Sequence, residues 1–159
     1  MISTTTPSVS AADSRIQPTR WWTIALAGQI ILHFVWPIHT FLSFPATLIG
    51  LVLVLPGTVI TLWGDNLFKK HRTAIKVFDR STTLVDYGPF AASRNPIYLG
   101  MELILLGVSV ILGSAISLVG PIVFFAVVDR WYIPHEERAM EDTFGQEYTI
   151  YRSRVRRWL

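Results

Sequence analysis

The stretch DYGPFAASRNPIYLG, residues Asp86–Gly100, decides how this chain folds. It is polar and rich in turn residues, and it opens directly into an apolar run. Asn is a favoured N-cap and Pro is favoured at the first helical position, so Asn95-Pro96 predicts the start of a helix. A second polar segment, IPHEERAMEDTFGQEYTIY, occupies Ile133–Tyr151. The apolar stretch between them is long enough to cross a membrane twice, so we expect both polar segments to meet at one membrane face.

The apolar stretch is too long for one membrane span. Residues 97–128 would form a helix of about 48 Å at about 1.5 Å per residue, whereas the hydrocarbon core is ~30 Å thick. Gly113-Ser114 near the middle predicts a tight helical hairpin. We therefore expect two short spans, at about 96–112 and 115–133.

Two further apolar runs precede this region. Residues 21–39 and 44–64 are each about the length of a membrane-spanning helix of ~20 residues, and tryptophans lie near the ends of the first. Pro56-Gly57 predicts a kink in the second, because proline removes a backbone donor. Residues 65–80 combine a basic cluster with apolar side chains, which is typical of an amphipathic segment at the membrane interface.

The distribution of charge supports four spans. All 14 Lys and Arg residues lie before the first run, between the second and third, or from the end of the fourth, at Arg130, onward. Four spans place them on one side, which the positive-inside rule makes cytoplasmic for both termini, in a bacterial-type inner membrane. The sequence predicts an all-α integral membrane protein with about four transmembrane helices, the third and fourth forming a helical hairpin, plus interfacial amphipathic helices. Residues 1–20 are expected to be a flexible cytoplasmic tail and 21–159 a single domain.

Composition excludes several classes of site. Hydrophobic residues make up 51% of the chain and charged residues 16%, well below the roughly 25% of soluble domains. The net charge of +3 gives no reason to expect a nucleic-acid partner, whereas membrane lipids are expected partners. The chain has no cysteine, and the segment HEERA has Ala139 where a zinc-binding helix would carry its second histidine. No metal site is expected.

An aromatic stripe marks the C-terminal segment. Phe144, Tyr148, Tyr151, Val155 and Trp158 recur at spacings of four and three residues, which is the period of one helix face. Arginines flank the stripe. We expect one helix that lies on the membrane or caps the bundle.

The two polar segments together offer partners for a charged cofactor. A helix that begins at Pro96 presents free backbone N–H groups, which suit a carboxylate. Glu136 and Glu137 return to the same face and suit an amine or a ribose. Arg94 and Tyr98 add a positive charge and an aromatic donor. This set matches a zwitterionic cofactor that carries a ribose.

SRNPIYLG at 93–100, preceded by LVDYGPF at 84–90, resembles the signature of the isoprenylcysteine carboxyl methyltransferase family, which includes phospholipid methyltransferase-like membrane proteins. PHEERAMEDTFGQEYTIYRSRVRRWL at 134–159 is similar to its second signature. The resemblance covers about 83–159. It implies an S-adenosylmethionine-dependent membrane methyltransferase, with the cofactor pocket in this C-terminal half and a lipophilic methyl acceptor that enters from the lipid.

The resemblance also implies which residues bind the cofactor. Prenylcysteine enzymes usually have His where this chain has Asn95, which argues against prenylcysteine as the substrate, since Asn cannot titrate. The implied cofactor-binding residues are Tyr87, Gly88, Arg94, Asn95, Pro96, Tyr98, Leu99, Gly100, Glu136 and Glu137.

Glu102 is the candidate catalytic residue. An acid inside a span is expensive and often functional, and Glu102 lies one helical turn beyond Tyr98 on the same face. An amine or thiol acceptor would need a base, whereas a carboxylate acceptor would not. The alternative is an interfacial glutamate bonded to a neighbouring helix. Arg130 and Tyr132 are candidates for binding the acceptor, with interface anchoring as the alternative.

Two other functions remain open. Membrane sterol reductases resemble the same C-terminal region and use it for a nicotinamide cofactor, so an NADPH-dependent reductase is an alternative, although those enzymes are much longer. A non-enzymatic lipid-binding membrane protein is the second alternative. The sequence leaves the acceptor open among carboxylates, amines and thiols.

Overall fold

The computed structural model describes residues 17–70 and 83–159, and within these residues the chain is helical and contains no strand. The predicted all-α class is confirmed for this part of the chain. In residues 17–70 and 83–159, three short 3₁₀ turns and one π-helical turn accompany the longer elements. The α-helices of this part of the chain number six and follow in order: α1 Pro18–Val35, α2 Leu51–Lys70, α3 Pro96–Leu112, α4 Val119–Val127, α5 Ile133–Phe144 and α6 Gln146–Arg154.

Two helical segments in the described residues are long and apolar enough to cross a membrane. They are Ala46–Lys70, which combines a 3₁₀ turn with α2, and Ala115–Phe144, which runs from a 3₁₀ turn through α4 to the end of α5. Helix α3 is apolar but shorter. Length and composition therefore support two of the four predicted spans directly.

The outer surface of the helices is apolar. Helix α2 buries little of its own surface within the protein. Large apolar side chains exposed along it include Leu51, Val52, Leu55, Val59 and Leu62. A continuous apolar surface of this kind is rare on soluble monomers and is typical of contact with lipid or another protein. The surface is consistent with a membrane protein.

Gly113 ends α3 and creates the hairpin that the sequence predicts. Its φ of 68° is in the left-handed region, which glycine adopts readily at a helix C-terminus. A Cβ at this position would lie 2.3 Å from the carbonyl oxygen of Leu42. The predicted reversal is confirmed, and α4 then begins at Val119 after the 3₁₀ turn Ala115–Leu118.

Helices α2 and α3 approach each other through paired glycines. A Cβ on Gly100 would lie 2.5 Å from the carbonyl oxygen of Gly57, and one on Gly107 would lie 2.7 Å from that of Gly50. Gly57 in α2 and Gly50 in the 3₁₀ turn before it are seven residues apart, as are Gly100 and Gly107 in α3, so both pairs form in one antiparallel contact. Small residues permit this close approach between apolar helices.

The connections α1–α2 and α3–α4 meet at the same end of the bundle. The backbone N–H of Phe41 donates to the carbonyl of Gly113 at 2.8 Å, and that of Ala115 donates to the carbonyl of His39 at 3.0 Å. Because both connections lie at this end, the segment before α3 and the segment after α5 lie at the other end. The bundle thus has one end without Lys or Arg and one end rich in them.

A buried polar network fixes α1 to the hairpin. The Ser109 hydroxyl lies 3.2 Å from Gln29 Oε1 and 2.9 Å from the carbonyl oxygen of Ser117, within hydrogen-bond distance of both. His33 Nδ1 lies 2.7 Å from the hydroxyl of Ser114. Buried polar groups are stable only when they are hydrogen-bonded, so this network specifies how α1 packs.

Some predicted boundaries differ in the structure. Helix α1 ends at Val35 instead of residue 39, and α2 continues through Pro56 to Lys70, beyond the predicted end at residue 64. An ion pair between Lys69 and Asp65 supports the added turns, because opposite charges four residues apart stabilise a helix. Within the predicted interfacial segment, residues 71–80 lie outside the described residues.

The prediction of one continuous C-terminal helix is wrong. Gly145 has φ 51° and ψ −118° and separates α5 from α6. Helix α6 ends at Arg154, and Val155 is extended, with φ −117° and ψ 131°. The periodic stripe therefore spans two helices and a non-helical tail. Gly145 separates the helices, and the tail is extended because groups outside the segment bind its backbone carbonyls.

Candidate functional site

The two polar segments meet, as the sequence predicts. Arg94 Nη2 lies 2.6 Å from Glu137 Oε1, across 43 residues. The hydroxyl of Tyr98 donates to Glu136 Oε1 at 2.6 Å, across 38 residues. Two consecutive acids at the start of α5 therefore contact the segment that begins α3, and the junction lies at the basic end of the bundle.

The start of α3 follows the predicted pattern, with one difference. Pro96 occupies the first turn and Asn95 the N-cap position, but the Asn95 side chain makes no cap hydrogen bond. Its amide donates instead to the carbonyl oxygen of Arg157 at 3.1 Å. Asn95 thus caps none of the first-turn N–H groups of α3, and a helix N-terminus of this kind suits an anion.

Glu137 is the centre of a buried ion cluster. Its side chain is 8% exposed, and it binds Arg94, whose side chain is 10% exposed. Arg157 approaches from the other side, with Nη2 2.7 Å from Glu137 Oε2 and Nε 3.3 Å from Oε1. Hydrogen bonding to Glu137 raises the pKa of the Arg157 guanidinium above its usual value. Both Glu137 oxygens are therefore occupied by arginine donors.

Glu136 has different surroundings. It is partly buried, and its recorded partner is the Tyr98 hydroxyl. Tyr98 belongs to the apolar core, together with Met101, Leu105 and Tyr132. The carboxylate of Glu136 thus sits at the boundary between the apolar core and the ion cluster. Of the two acids, Glu136 is the one that accepts a hydrogen bond from a neutral group, the Tyr98 hydroxyl.

A π-helical turn, Val128–Tyr132, joins α4 to α5. Such turns are rare and often occur at functional sites. Here the turn separates the two predicted acceptor-binding residues: Tyr132 is buried in the core near Tyr98, whereas Arg130 is exposed. The turn also carries Asp129, whose carboxylate accepts from Trp158 Nε1 at 2.9 Å.

The remaining motif residues are spread around α3. Gly100 faces α2, where a Cβ would lie 2.3 Å from the Thr61 hydroxyl oxygen, so its environment is helix packing. Gly88 has φ 63°, and a Cβ there would lie 3.1 Å from Leu67. Pro96 is buried, Leu99 is partly buried and Tyr87 is 46% exposed. The structure thus places Arg94, Asn95, Tyr98, Glu136 and Glu137 together, with Gly88 and Gly100 against α2.

Glu102 lies one turn beyond Tyr98 on α3 and is partly buried. Its Oε2 atom is buried and has no hydrogen-bond partner in the described part of the chain. A buried acceptor without a partner costs free energy and requires an explanation. The geometry therefore keeps Glu102 as a candidate for chemistry near the junction.

Four residues of the junction were missed by the sequence-based prediction of the site. Ser93, Asp129, Arg157 and Trp158 all contact it, whereas the arginine-rich end predicted only a helix that lies on the membrane or caps the bundle. One signal was available: Asp129 interrupts the apolar run that follows the hairpin. An isolated acid in an apolar run requires a hydrogen-bond partner, and Asp129 contacts two residues of the tail, Arg157 and Trp158.

Comparison with known proteins identifies the family of the chain. A 62-residue segment, 39% of this chain, is 42% identical to a Haemophilus influenzae protein described as uncharacterized, and it covers 98% of that relative. The family model described as phospholipid methyltransferase matches residues 45–147. That range includes α2, the hairpin and α5, and it spans well over half of the sequence. The chain belongs to the phospholipid methyltransferase family.

Proposed function

We propose that this protein is an S-adenosylmethionine-dependent membrane methyltransferase that modifies a lipophilic acceptor. The observation that carries the proposal is the junction of the two signature segments, through Arg94–Glu137 and Tyr98–Glu136. The family match supports the reaction class. The cofactor would bind at this junction, between the first turn of α3 and the first turn of α5.

The donor set at the junction fits this cofactor. S-adenosylmethionine carries a carboxylate, an amine and a ribose diol. The uncapped N-terminus of α3 suits the carboxylate, and Glu136 suits the amine or the diol. Arg94 adds positive charge, and its Nε atom is buried without a hydrogen-bond partner in the described residues.

Glu136 and Glu137 would have different roles in this pocket. Glu137 is already bound by two arginines, so its role is to hold the two segments in register. Glu136 accepts from one neutral hydroxyl and is the better candidate for direct contact with the cofactor. Of the implied cofactor-binding residues, Asn95 and Glu137 would therefore act through the shape of the pocket.

When bound, the cofactor supplies an electrophilic methyl group on a sulfonium. The protein's contribution is to position the acceptor and to exclude water from the charged reactants. Tyr98 and Tyr132 belong to the apolar core and would form the wall of the pocket on that side. Glu102 would accept a proton at Oε2 when the acceptor is an amine or a thiol. Arg130, on the exposed side of the π-helical turn, would contact the acceptor headgroup.

The proposal includes four membrane-crossing helices with both termini in the cytoplasm. Helices α1 and α3 run in one direction, and α2 and α4 return. The two connections at the far end, 36–45 and 113–118, contain no Lys or Arg, whereas the junction end is rich in arginine. The positive-inside rule then places the junction at the cytoplasmic face, where a soluble cofactor and a lipid-borne acceptor can meet.

Calorimetric titration of the purified protein in detergent tests the cofactor. We expect saturable binding of S-adenosylmethionine and no binding of NADPH. Glu136→Gln keeps the size of the side chain and should weaken binding by about tenfold or more, because a charge-assisted contact contributes roughly 1.5–3 kcal/mol. Glu141→Gln, an exposed acid on the same helix, is the matched control and should bind as the wild type does.

The outcomes separate the alternatives. Binding of NADPH alone would support a reductase. Binding of neither cofactor by a monodisperse protein would support a non-enzymatic lipid-binding role. Equal binding by Glu136→Gln and the wild type would place the cofactor away from the junction.

A further inference from the structure

The last residues of the chain form a strap across the junction. After α6 ends at Arg154, the tail runs extended along the segment that precedes α3. The backbone N–H of Arg94 donates to the carbonyl of Arg156 at 2.9 Å, and the Ser93 hydroxyl donates to that of Arg157 at 3.2 Å. The Arg94 guanidinium also donates to the carbonyl of Val155 at 2.8 Å. Consecutive residues of the first signature thus hold the tail by its backbone.

Arg157 is the side chain that connects the strap to the second signature. Its guanidinium binds both oxygens of Glu137 and lies 3.4 Å from Asp129 on the π-helical turn. At the same time, its carbonyl accepts from the Asn95 amide at 3.1 Å. One residue therefore contacts the segment before α3, the π-helical turn and α5. The planar fork of arginine suits such a bidentate contact, which lysine cannot reproduce.

Trp158 anchors the end of the strap. Its indole donates to Asp129, and its ring stacks on Phe125 with a centroid distance of 5.0 Å and an interplanar angle of 30°. The tail is thereby tied to α4 as well as to α3 and α5. This anchor adds side-chain contacts to the backbone hydrogen bonds that hold the tail.

We propose that Arg157 is a positioning residue for cofactor binding, acting through Glu137 and Asn95 while the strap 155–158 holds it in place. The inference rests on the proposed function. If Arg157 is removed, Glu137 keeps Arg94 alone, and Asn95 loses a fixed acceptor as the tail loosens. The two signature segments then lose their fixed positions relative to each other. Glu136, which precedes Glu137 in α5, is displaced with it.

Affinity for S-adenosylmethionine, measured by calorimetry, tests the proposal. Arg157→Ala should weaken binding about tenfold or more, because displaced site groups cannot meet the cofactor together. Arg157→Lys keeps the positive charge but loses the planar guanidinium, so its affinity should lie between those of the wild type and Arg157→Ala. Arg156→Ala removes the same charge from the neighbouring, exposed side chain and should bind within about twofold of the wild type.

A stability control separates positioning from general destabilisation. Gln29→Ala disrupts the buried network between α1 and the hairpin, so it should lower the melting temperature without changing the affinity for S-adenosylmethionine. A spin label on Leu159→Cys, unique because the chain has no cysteine, reports the motion of the tail. Arg157→Ala should increase that motion, and saturating S-adenosylmethionine should partly restrain it, since coupling between two equilibria is reciprocal.

Three results would overturn the proposal. The first is unchanged affinity in Arg157→Ala, whether or not the tail is released. The second is a loss of affinity in Gln29→Ala equal to that in Arg157→Ala when the two variants have similar melting temperatures. The third is a loss in Arg156→Ala as large as that in Arg157→Ala. If the wild type binds no S-adenosylmethionine, the proposed function itself fails, which is a different result.

Discussion

The hydroxyl of Tyr98 donates a 2.6 Å hydrogen bond to the carboxylate of Glu136 and so joins the first turn of α3 to the first turn of α5. Tyr98 is buried in the apolar core, and Glu136 lies beside the ion cluster around Glu137. The contact places an acid at the edge of the core, close to an uncapped helix N-terminus. These are the two kinds of group that a zwitterionic cofactor requires.

Tyr98→Phe should destabilise the protein. It removes the donor and leaves the Glu136 carboxylate without its recorded partner, which costs about 1–3 kcal/mol for a buried acceptor. Thermal unfolding in detergent, followed by tryptophan fluorescence, measures the effect. Tyr98→Leu, which also loses the ring, should be worse. An unchanged melting temperature in Tyr98→Phe would show that the hydroxyl contributes nothing.

Glu137→Ala should have a larger effect. Removing Glu137 leaves the buried guanidinium of Arg94 without its carboxylate partner, at a cost of about 3–5 kcal/mol, and leaves Arg157 paired with Asp129 alone. Arg94 and Arg157 would then repel each other across the vacated position. Glu141→Ala, on the same helix but 50% exposed in its pair with Arg152, is the control and should change stability by less than about 0.5 kcal/mol. Equal stability of the two variants would contradict the structural role given to Glu137.

Gly100→Ala should disrupt the contact between α2 and α3. The added Cβ would lie 2.3 Å from the Thr61 hydroxyl oxygen and 2.5 Å from the Gly57 carbonyl oxygen, and the backbone group cannot rotate away. Gly28→Ala is the matched control, since no atom of the described residues beyond the adjoining part of α1 lies within 4 Å of a Cβ there. That substitution should stabilise α1 by roughly 0.5–1 kcal/mol through helix propensity. Melting temperatures that rise in both variants would refute the close glycine contact.

Single-cysteine labelling tests the topology, because the chain has no cysteine of its own. Ser43 lies in the connection before α2, and Glu147 lies in α6 at the junction end; both are exposed. In intact cells, a membrane-impermeant maleimide should label Ser43→Cys and leave Glu147→Cys unlabelled until the membrane is opened. Labelling of both in intact cells would contradict a bundle that crosses the membrane with its junction inside.

Several elements could be predicted from local sequence. Pro96 fixes a helix start, and Gly113 supplies a conformation that ends a helix, so the hairpin followed from residues adjacent in the chain. The meeting of Arg94 with the paired acids followed from the direction of the two spans and the side on which charges collect. These inferences need no knowledge of distant contacts.

Other elements depended on distant contacts. Asn95 sits at a helix start, where its side chain would ordinarily cap, but the carbonyl of Arg157 competes for its amide. The aromatic stripe predicts one helix from Phe144 onward, yet Gly145 separates two helices. Three residues before α3 hold the tail in an extended conformation. Fourteen cationic residues are available to pair with the acids, so sequence alone does not select Arg157. The seven-residue spacing of Gly50 and Gly57, and of Gly100 and Gly107, could have predicted the contact between α2 and α3. The hydrophobic pattern alone does not indicate it.

The position of the cofactor can be measured directly by ultraviolet cross-linking of radiolabelled S-adenosylmethionine to the detergent-solubilised protein, followed by peptide mapping. We expect label in peptides that contain residues 93–100 or 132–137, and we expect excess unlabelled cofactor and the Glu136→Gln substitution each to reduce it. Label confined to the connections 36–45 and 113–118, or no label that unlabelled cofactor reduces, would contradict a cofactor site at the junction of α3 and α5.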